Sequence, residues 1–580
     1  MSDYPIIKRV RYNKNGLSEL NQELINDPDA YRVIFRFPTV YIIIDKVNSG
    51  YHAYVGETND IDRRTNQHLV EQRDDFIELN QDNTNLLVIG HNHFNKSLTL
   101  DIENRMMMYL LSSNQIKRLN NRRTNDQDEY YTSNELNPIF SKIWRQLHRM
   151  DGDIFPAEET IKLSALFKSS PFHKLKPGQY LAATRIEKQI NDRLTQFNDK
   201  QDSGTLILVE GAAGTGKTVL LSQIFNNLNK TQQESNHDHP KAYLLVNHKE
   251  QQHVYRRIAE KLGLNKLDPD IANNPSNFIN KHPLGSPKVD VVLVDEAHLL
   301  WTQSIQAYRG NNQLNELLQR AKVVVAVFDP HQILTTTGYV SNETIQKIET
   351  KALANNNLIK LSSQIRMQAS NDTIKWIDDL IFNREVNPIP EDSSYDLEIA
   401  ADAKSVYRAI KSHNSKDENE NNGLSRMIAT FDWDYKQKKK PDGSNWLVRA
   451  GNLSLPWNLQ LSKKRRVSKL PWVEQPQTID EIGSTFTIQG FDLNYAGLII
   501  GPSVKYRNGK IIFDSKSSKN SKATNRRSIN GKKVDVSEEL LQNELNVLMK
   551  RGVHGLYIYA VDEELRAALL RASAGKHILK

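Results

Sequence analysis

A chain of 580 residues, 25% charged and 38% hydrophobic, exceeds what one hydrophobic core sustains and is expected to divide into about three or four domains. No apolar run approaches the ~20 residues that cross a bilayer, the start MSDYPIIKRVRYNKNG lacks the apolar stretch of a secretory signal, and no cysteine is present. A cytoplasmic protein with no membrane partner is therefore expected, without disulfides, thiolate zinc sites or cysteine nucleophiles, and the net charge of +8 points weakly toward a polyanion.

Residues 31–46, YRVIFRFPTVYIIIDK, form a β-rich run, followed by the turn Asn48-Ser49-Gly50 and a second strand, HAYVG. The pair reads as a hairpin. Helical spacing follows at residues 60–70 and 98–111, and the polar stretch from Asn120 to Tyr131 closes a small mixed domain, placed at residues 1–125. Residues 126–175 read as a helical connector, because Ile139, Phe140, Ile143, Trp144 and Leu147 recur with helical period. From there TLILVEG, KAYLLVN, DVVLVDE and KVVVAVFD alternate with amphipathic stretches, as in a parallel sheet of βαβ units. A second alternating series follows Leu358. The expected fold class is α/β, a small mixed domain followed by two RecA-like parallel-sheet lobes at residues 176–345 and 346–580. The basic runs at Lys436–Lys440, Lys463–Lys469 and Lys505–Lys533 read as loops facing phosphate or as solvated insertions.

The strand-turn sequence LVEGAAGTGKT from Leu208 to Thr218 is a P-loop. Gly211, Gly214 and Gly216 leave backbone N–H groups free to wrap phosphate, Lys217 reaches the β and γ phosphates, and the Thr218 hydroxyl is placed for Mg²⁺ at a helix N-terminus. A nucleoside triphosphate, ATP, is the expected ligand. Downstream, VVLVDEAHLL ends a strand with Asp295, suited to hold Mg²⁺ through water, and Glu296, suited to orient the attacking water. VVVAVFDPHQ then places Asp329 and Gln332 past another strand, where the glutamine can sense the γ phosphate. Trp301, Trp433 and Trp446 are read as packed rather than as base-stacking platforms.

In this order, PGQY, GAAGTGKT, DEAH, FDPHQ, SQIRM, TIQGFD and VLMKRG resemble superfamily 1 helicases, and LSSQIRM with FTIQGFDLNYAGLIIGP is similar in style to the Schlafen-type branch. The resemblance implies that Gln179 reads adenine and that Arg366 and Arg551 are second-lobe arginines reaching the γ phosphate as the lobes close. The TIQGFD stretch departs from the usual helicase form, so unwinding is a weaker implication than hydrolysis.

The N-terminal hairpin resembles the GIY-YIG endonuclease family. TVYI supplies Tyr41, AYVG supplies Tyr54 and Gly56, and DIDRRTNQH supplies Arg64 and His68, one helical turn apart and therefore on one face. Glu103 matches the family's metal-binding glutamate and Asn120 is a weaker match to its late asparagine. By this resemblance Glu103 holds Mg²⁺, Arg64 braces the scissile phosphate, and Tyr54 or Tyr41 activates water with His68 nearby; which tyrosine is the base stays open. Thr39 replaces the glycine of the family's name motif. The neighbouring His91 and His93 read as a loop rather than a metal site, for want of a third ligand.

The expected function is an ATP-dependent nuclease-helicase acting on DNA, single-stranded or as a duplex end. Bacterial anti-phage defence is implied by the association of such fusions with immunity. A nucleotide-gated nuclease switch without unwinding, and an RNA-directed ATPase-nuclease, are the alternatives. A homo-oligomer or a defence-system partner protein is the protein partnership in view.

Overall fold

The computed structural model describes residues 4–70, 84–120, 130–198, 203–211, 214–234, 240–304, 308–361, 367–414, 424–462, 471–488, 491–529 and 531–579. Arg366 and the basic run around Lys463–Lys469 lie outside these residues. Contacts divide the chain into two compact units, one of residues 1–183, 218–244 and 252–273, the other of residues 184–217, 245–251 and 274–580. Among the described residues no helix is long and apolar enough to cross a membrane.

The first unit opens with a five-stranded sheet of β1 (Ile6–Arg11), β2 (Thr39–Val47), β3 (Gly50–Thr58), β4 (Thr84–Gly90) and β5 (Ile116–Leu119), in the order β1-β4-β2-β3-β5. The central strand β2 is buried from Thr39 to Asp45, which explains its unbroken β-branched run; a strand covered on both faces has no solvent side to make polar. Its one buried acid, Asp45, accepts a hydrogen bond from the Thr84 hydroxyl at 3.2 Å. Helix α1 (Lys14–Leu24) is capped by Asn13 and α2 (Pro28–Phe35) by Asp27 with proline in the first turn, each cap contributing about 1 kcal/mol. Helix α3 (Ile61–Val70) follows β3, and α4 (Lys96–Ser112), capped by Asn95, packs on β3. The connector helix α5 (Leu136–Met150) buries Ile139, Phe140, Ile143, Trp144 and Leu147, the face its periodicity predicts.

Within this unit α4 is tied to helix α8 (Lys249–Lys261), which in chain order connects two strands of the sheet that carries the P-loop sequence. The Lys261 ammonium donates to the carbonyls of Leu111 and Ser113 at 2.7 and 2.6 Å. A donor there answers carbonyls that the helix C-terminus leaves without an intrahelical partner. Burial, with Arg257 and Lys117 nearby, holds the Lys261 pKa well below the ordinary lysine range.

The sheet that carries the P-loop sequence comprises β6 (Thr205–Gly211), β7 (Ala242–Val246), β8 (Ala272–Asn273), β9 (Val289–Asp295), β10 (Ala321–Phe328) and β11 (Leu358–Leu361), ordered β11-β6-β10-β9-β7-β8. Strand β6 pairs in parallel with β10 and β11, and β10 with β9. Helix α6 (Pro177–Gln196) precedes β6, and α7 (Lys217–Glu234) follows the P-loop. A second six-stranded sheet joins β12 (Asp396–Ala400), β13 (Arg426–Ala429), β16 (Ile482–Gly483), β17 (Leu493–Ile500), β22 (Gly552–Ala560) and β23 (Ile578–Leu579), ordered β16-β13-β17-β22-β12-β23. Every pairing recorded in it is parallel. This is the α/β architecture expected, a small mixed domain followed by parallel sheets. Three two-stranded hairpins are interspersed among the strands of this part of the chain: β14 (Leu447–Ala450) with β15 (Leu453–Pro456), β18 (Val504–Arg507) with β19 (Lys510–Phe513), and β20 (Arg527–Ile529) with β21 (Lys532–Val534). The basic residues from Lys505 to Lys533 are thus borne largely on hairpins.

Candidate active sites

The β2–β3 register sets Tyr41 opposite Gly56 and Ile43 opposite Tyr54. The two tyrosines are therefore diagonal neighbours on one face of the sheet, with ring centroids 6.1 Å apart. The Tyr41 ring lies across Gly56 so closely that a Cβ there would stand 2.3 Å from the tyrosine Oη, which gives the glycine of AYVG a physical reason. From α3, His68 completes a triangle of rings, its centroid 6.0 Å from Tyr41 and 5.6 Å from Tyr54, with Nε2 2.8 Å from the Tyr41 hydroxyl. One turn earlier, Arg64 is half-buried and lies within hydrogen-bonding reach of both phenolic oxygens; it also donates to Gln67 at 2.9 Å. Glu103 on α4 acts electrostatically on Tyr41.

Tyr41, Tyr54, Arg64, His68 and Glu103 are thus brought together. Burial and the neighbouring Tyr54 push the Tyr41 phenol well above the ordinary range, with Arg64 pulling the other way. Asn120 lies beside this centre through its backbone, whose N–H donates to the Ala53 carbonyl at 2.9 Å, while its side chain accepts from Arg118 at 3.0 Å. His91 accepts from the His93 N–H at 3.1 Å and His93 pairs with Glu135 at 2.6 Å. Among the described residues no three His, Asp or Glu side chains gather as a metal cage. A single carboxylate, Glu103, among phenols is a donor set that fits Mg²⁺, which keeps several waters and takes its other oxygens from substrate phosphate.

The nucleotide centre is built differently. Gly214 and Gly216 have φ of +87° and +75°, a left-handed backbone that glycine adopts without strain. A Cβ on Gly211 would stand 2.5 Å from the Thr215 hydroxyl. Lys217 opens α7 with its Nζ 2.6 Å from the Gly211 carbonyl and 4.0 Å from Asp329, and Thr218 follows it in the first turn. Asp329 accepts from Gln332 at 2.7 Å. Burial raises the Asp329 pKa, but the Lys217 charge and the Gln332 hydrogen bond outweigh it and the carboxylate is held below its ordinary range. Asp295 ends β9 fully buried and accepts from the Glu296 N–H at 3.0 Å. Glu296 has φ of +49°, a strained conformation for a residue with a side chain, and its carboxylate lies 3.2 Å from His298.

Helix α9 (Ser537–Met549) packs against the segment after Asp329. Asn543 donates to the carbonyls of Pro330 and Ile333 at 3.3 and 3.0 Å, and Asn546 to that of His331 at 3.1 Å. Sequence reasoning missed both asparagines, since nothing in their spacing marks them. Arg551, just beyond the helix, is buried, with Nε donating to Val547 and Nη1 to Phe491 at 3.0 and 3.3 Å. Its charge helps depress the pKa of His248 and His298, where burial is the larger cause. Gln179, in the first turn of α6, accepts from the Lys176 N–H at 2.9 Å. Trp433 and Trp446 are half-buried and donate to the carbonyls of Arg449 and Lys438, the latter anchoring the basic loop, and Lys440 covers the Trp446 ring. Trp301 is half-buried against Tyr308.

Fold and sites together define a GIY-YIG-type nuclease joined to a helicase-type ATPase. The chain belongs to the Schlafen group 3 family, whose DNA/RNA helicase domain matches residues 204–562, and the GIY-YIG catalytic domain matches residues 37–131. It is 31% identical over 423 residues to the Saccharomyces cerevisiae protein described as "Uncharacterized protein YPL245W", covering 67% of this chain and 89% of the relative. Among solved structures, the arterivirus nonstructural protein 10 helicase aligns with 12% identity over 66% of this chain and 64% of that one, with a TM-score of 0.25. The structure of Mss116p bound to ssRNA and AMP-PNP aligns with 12% identity over 70% and 76% of the two chains, with a TM-score of 0.29. The family matches make the protein an enzyme with a nucleic-acid-binding, ATP-binding helicase-type domain and an endonuclease domain.

Proposed function

We propose that the protein is an ATP-dependent nuclease-helicase acting on DNA, its N-terminal domain cutting the backbone while ATP hydrolysis in the two lobes drives or gates the cut. The observation that carries this reading is the Tyr41–His68 hydrogen bond of 2.8 Å beside Arg64 and Glu103, on the same polypeptide as Lys217 and Asp329. In the nuclease centre the Tyr41 hydroxyl is the base: it takes a proton from the attacking water as it gives its own to His68 Nε2. Its raised pKa favours such a concerted transfer over a standing phenolate. Arg64 braces the scissile phosphate and Tyr54 donates to it. Glu103 would hold Mg²⁺ here, and Thr218 with Asp295 at the nucleotide, where the ion supplies charge neutralisation and a more acidic water.

In the motor, Lys217 takes the β and γ phosphates, Glu296 orients the attacking water, and Gln179 contacts the adenine. Gln332, tied to Asp329, passes the loss of the γ phosphate to α9, and Arg366 and Arg551 supply positive charge from the second lobe. The bonds from Asn543 and Asn546 to residues 330–333 also favour a second reading, a nucleotide-gated switch that needs no unwinding. A strand-displacement assay separates the two: ATP turnover on DNA without displacement leaves the switch.

The deciding experiment incubates plasmid with Mg²⁺ and ATP and compares wild type, Lys217→Ala and Glu103→Ala. Cleavage is expected to vanish in Glu103→Ala with ATPase intact; undiminished cleavage there overturns the nuclease assignment. A nick means one chain acts alone, and a double-strand break that two copies cooperate. Stronger stimulation of the ATPase by single-stranded RNA than by single-stranded DNA would move the substrate to RNA. Defence against invading DNA is the cellular role that pairing a cutter with a motor suggests, and protection that disappears in Glu103→Ala is its test.

A further inference from the structure

Tyr12 lies outside the residues matched to the nuclease family, 37–131, one residue past the end of β1. Its backbone is fixed on both sides: its N–H donates to the Thr84 carbonyl at 3.0 Å, and the next residue, Asn13, caps α1 by accepting from the N–H groups of Asn15 and Gly16. The ring is 3% exposed and packs in the same apolar cluster as Tyr41, Tyr54 and Ile61. Its hydroxyl is buried without a hydrogen-bond partner among the described residues. The Tyr41 hydroxyl, by contrast, meets His68, and both family tyrosines lie within reach of Arg64. The groups that act electrostatically on the Tyr12 hydroxyl are Tyr54 and Arg64.

A stranded buried hydroxyl is costly, and phenylalanine would fill the same apolar space without that cost. We propose that Tyr12 is a positioning residue of the nuclease centre, its hydroxyl donating a hydrogen bond to the Tyr54 oxygen when Tyr54 in turn donates to the scissile phosphate. The inference rests on the nuclease reading given above. Charge developing on the phosphate polarises Tyr54 and makes its oxygen a better acceptor, so each bond of the chain strengthens the other. An interaction made only as that charge develops contributes to turnover and not to substrate binding. The N-terminal extension thereby supplies a working part of the centre. Burial already drives the Tyr12 phenol well above the ordinary range, so it stays a donor throughout.

The test is Tyr12→Phe in the full chain, with plasmid cleavage measured as a function of DNA concentration beside ATPase activity and thermal unfolding. Loss of one hydrogen bond in the chain is expected to lower kcat ~10-fold with KM unchanged, ATPase unchanged and the unfolding midpoint equal or higher. Tyr12→Phe combined with Tyr54→Phe should cut no more slowly than Tyr54→Phe alone, because the first acts through the second. Wild-type kcat in Tyr12→Phe overturns the proposal and leaves Tyr12 as core packing. Glu103→Ala, run in parallel, separates the two failures: if it is inactive while Tyr12→Phe cuts normally, only the role of Tyr12 falls, whereas full cleavage by Glu103→Ala removes the nuclease reading and this inference with it.

Discussion

Both centres are suited to phosphate, yet they are assembled in opposite ways. The nuclease centre is compact in sequence, running from Tyr41 to Glu103, and its geometry is set by ring against ring on an antiparallel hairpin. The proposed nucleotide centre draws on residues from Gly211 to Arg551, and its geometry is set by buried charges and carbonyl oxygens. The consequences appear in the acids. Burial drives the Tyr41 phenol upward against the opposing pull of Arg64, whereas Lys217 outweighs burial at the equally buried Asp329 and holds it downward. On the proposed reading, one centre moves protons in concert and the other holds a preset field.

The sharpest way to break that contrast is Lys217→Met, which removes the cation on which the preset field depends. ATP hydrolysis, followed by phosphate release, is expected to fall on the order of 10³-fold, the scale of losing a principal phosphate-stabilising group. Residual turnover within tenfold of wild type would mean that the field is not set by Lys217. Next in size is Tyr41→Phe, which keeps the ring packing and deletes only the hydroxyl. DNA cleavage should drop about 10²–10⁴-fold, the usual scale of a general base, with ATPase untouched. Equal cleavage would move the base to Tyr54 and leave the His68 contact structural.

Gly56→Ala probes the packing itself. A methyl group 2.3 Å from the Tyr41 hydroxyl must displace the ring, so a loss of about 1–3 kcal/mol in domain stability is expected by analogy with overpacked cores. Cleavage should fall along with it. Denaturant unfolding checks the first effect and the plasmid assay the second; a stable, active variant would show that ring contact does not position the centre.

How much of this was legible in the sequence follows the same contrast. Spacing along a single element is readable, so Arg64 and His68 on one helix face, the face of the helix from Leu136 to Met150, and the P-loop turn with its glycines could all be anticipated, as could the α/β class. Contacts across elements are fixed by strand order and register, which no local pattern encodes. Tyr12 reaches the nuclease cluster only because β1 pairs with β4, which in turn pairs with β2. Asn543 and Asn546 look like ordinary polar helix residues until the helix is laid against residues 330–333. The burial of Arg551 is equally invisible in VLMKRG, since nothing in that stretch says which carbonyls will surround it.

The effect that shows only as a change in pH dependence sharpens the electrostatic side of the comparison. Glu544, on the helix that carries Asn543 and Asn546, is buried; burial and the nearby Asp432 push its carboxyl up to about 8, with hydrogen bonds from Phe431, Thr485 and Asn520 opposing the shift. Because the folded-state pKa exceeds the ordinary value of 4.5, the folded protein binds more protons than the unfolded chain between the two. Its contribution to stability is therefore full below about 4.5 and is lost as pH rises toward about 8. Glu544→Gln keeps the size and a hydrogen-bonding amide but cannot ionise. Relative to wild type, its unfolding midpoint should rise between about pH 5 and about pH 8 and level off above, on the order of 2–4 °C for each kcal/mol of difference. Parallel pH dependences in the two proteins would show that the second lobe carries no such proton, and that its buried acid is compensated as completely as Asp329 is by Lys217.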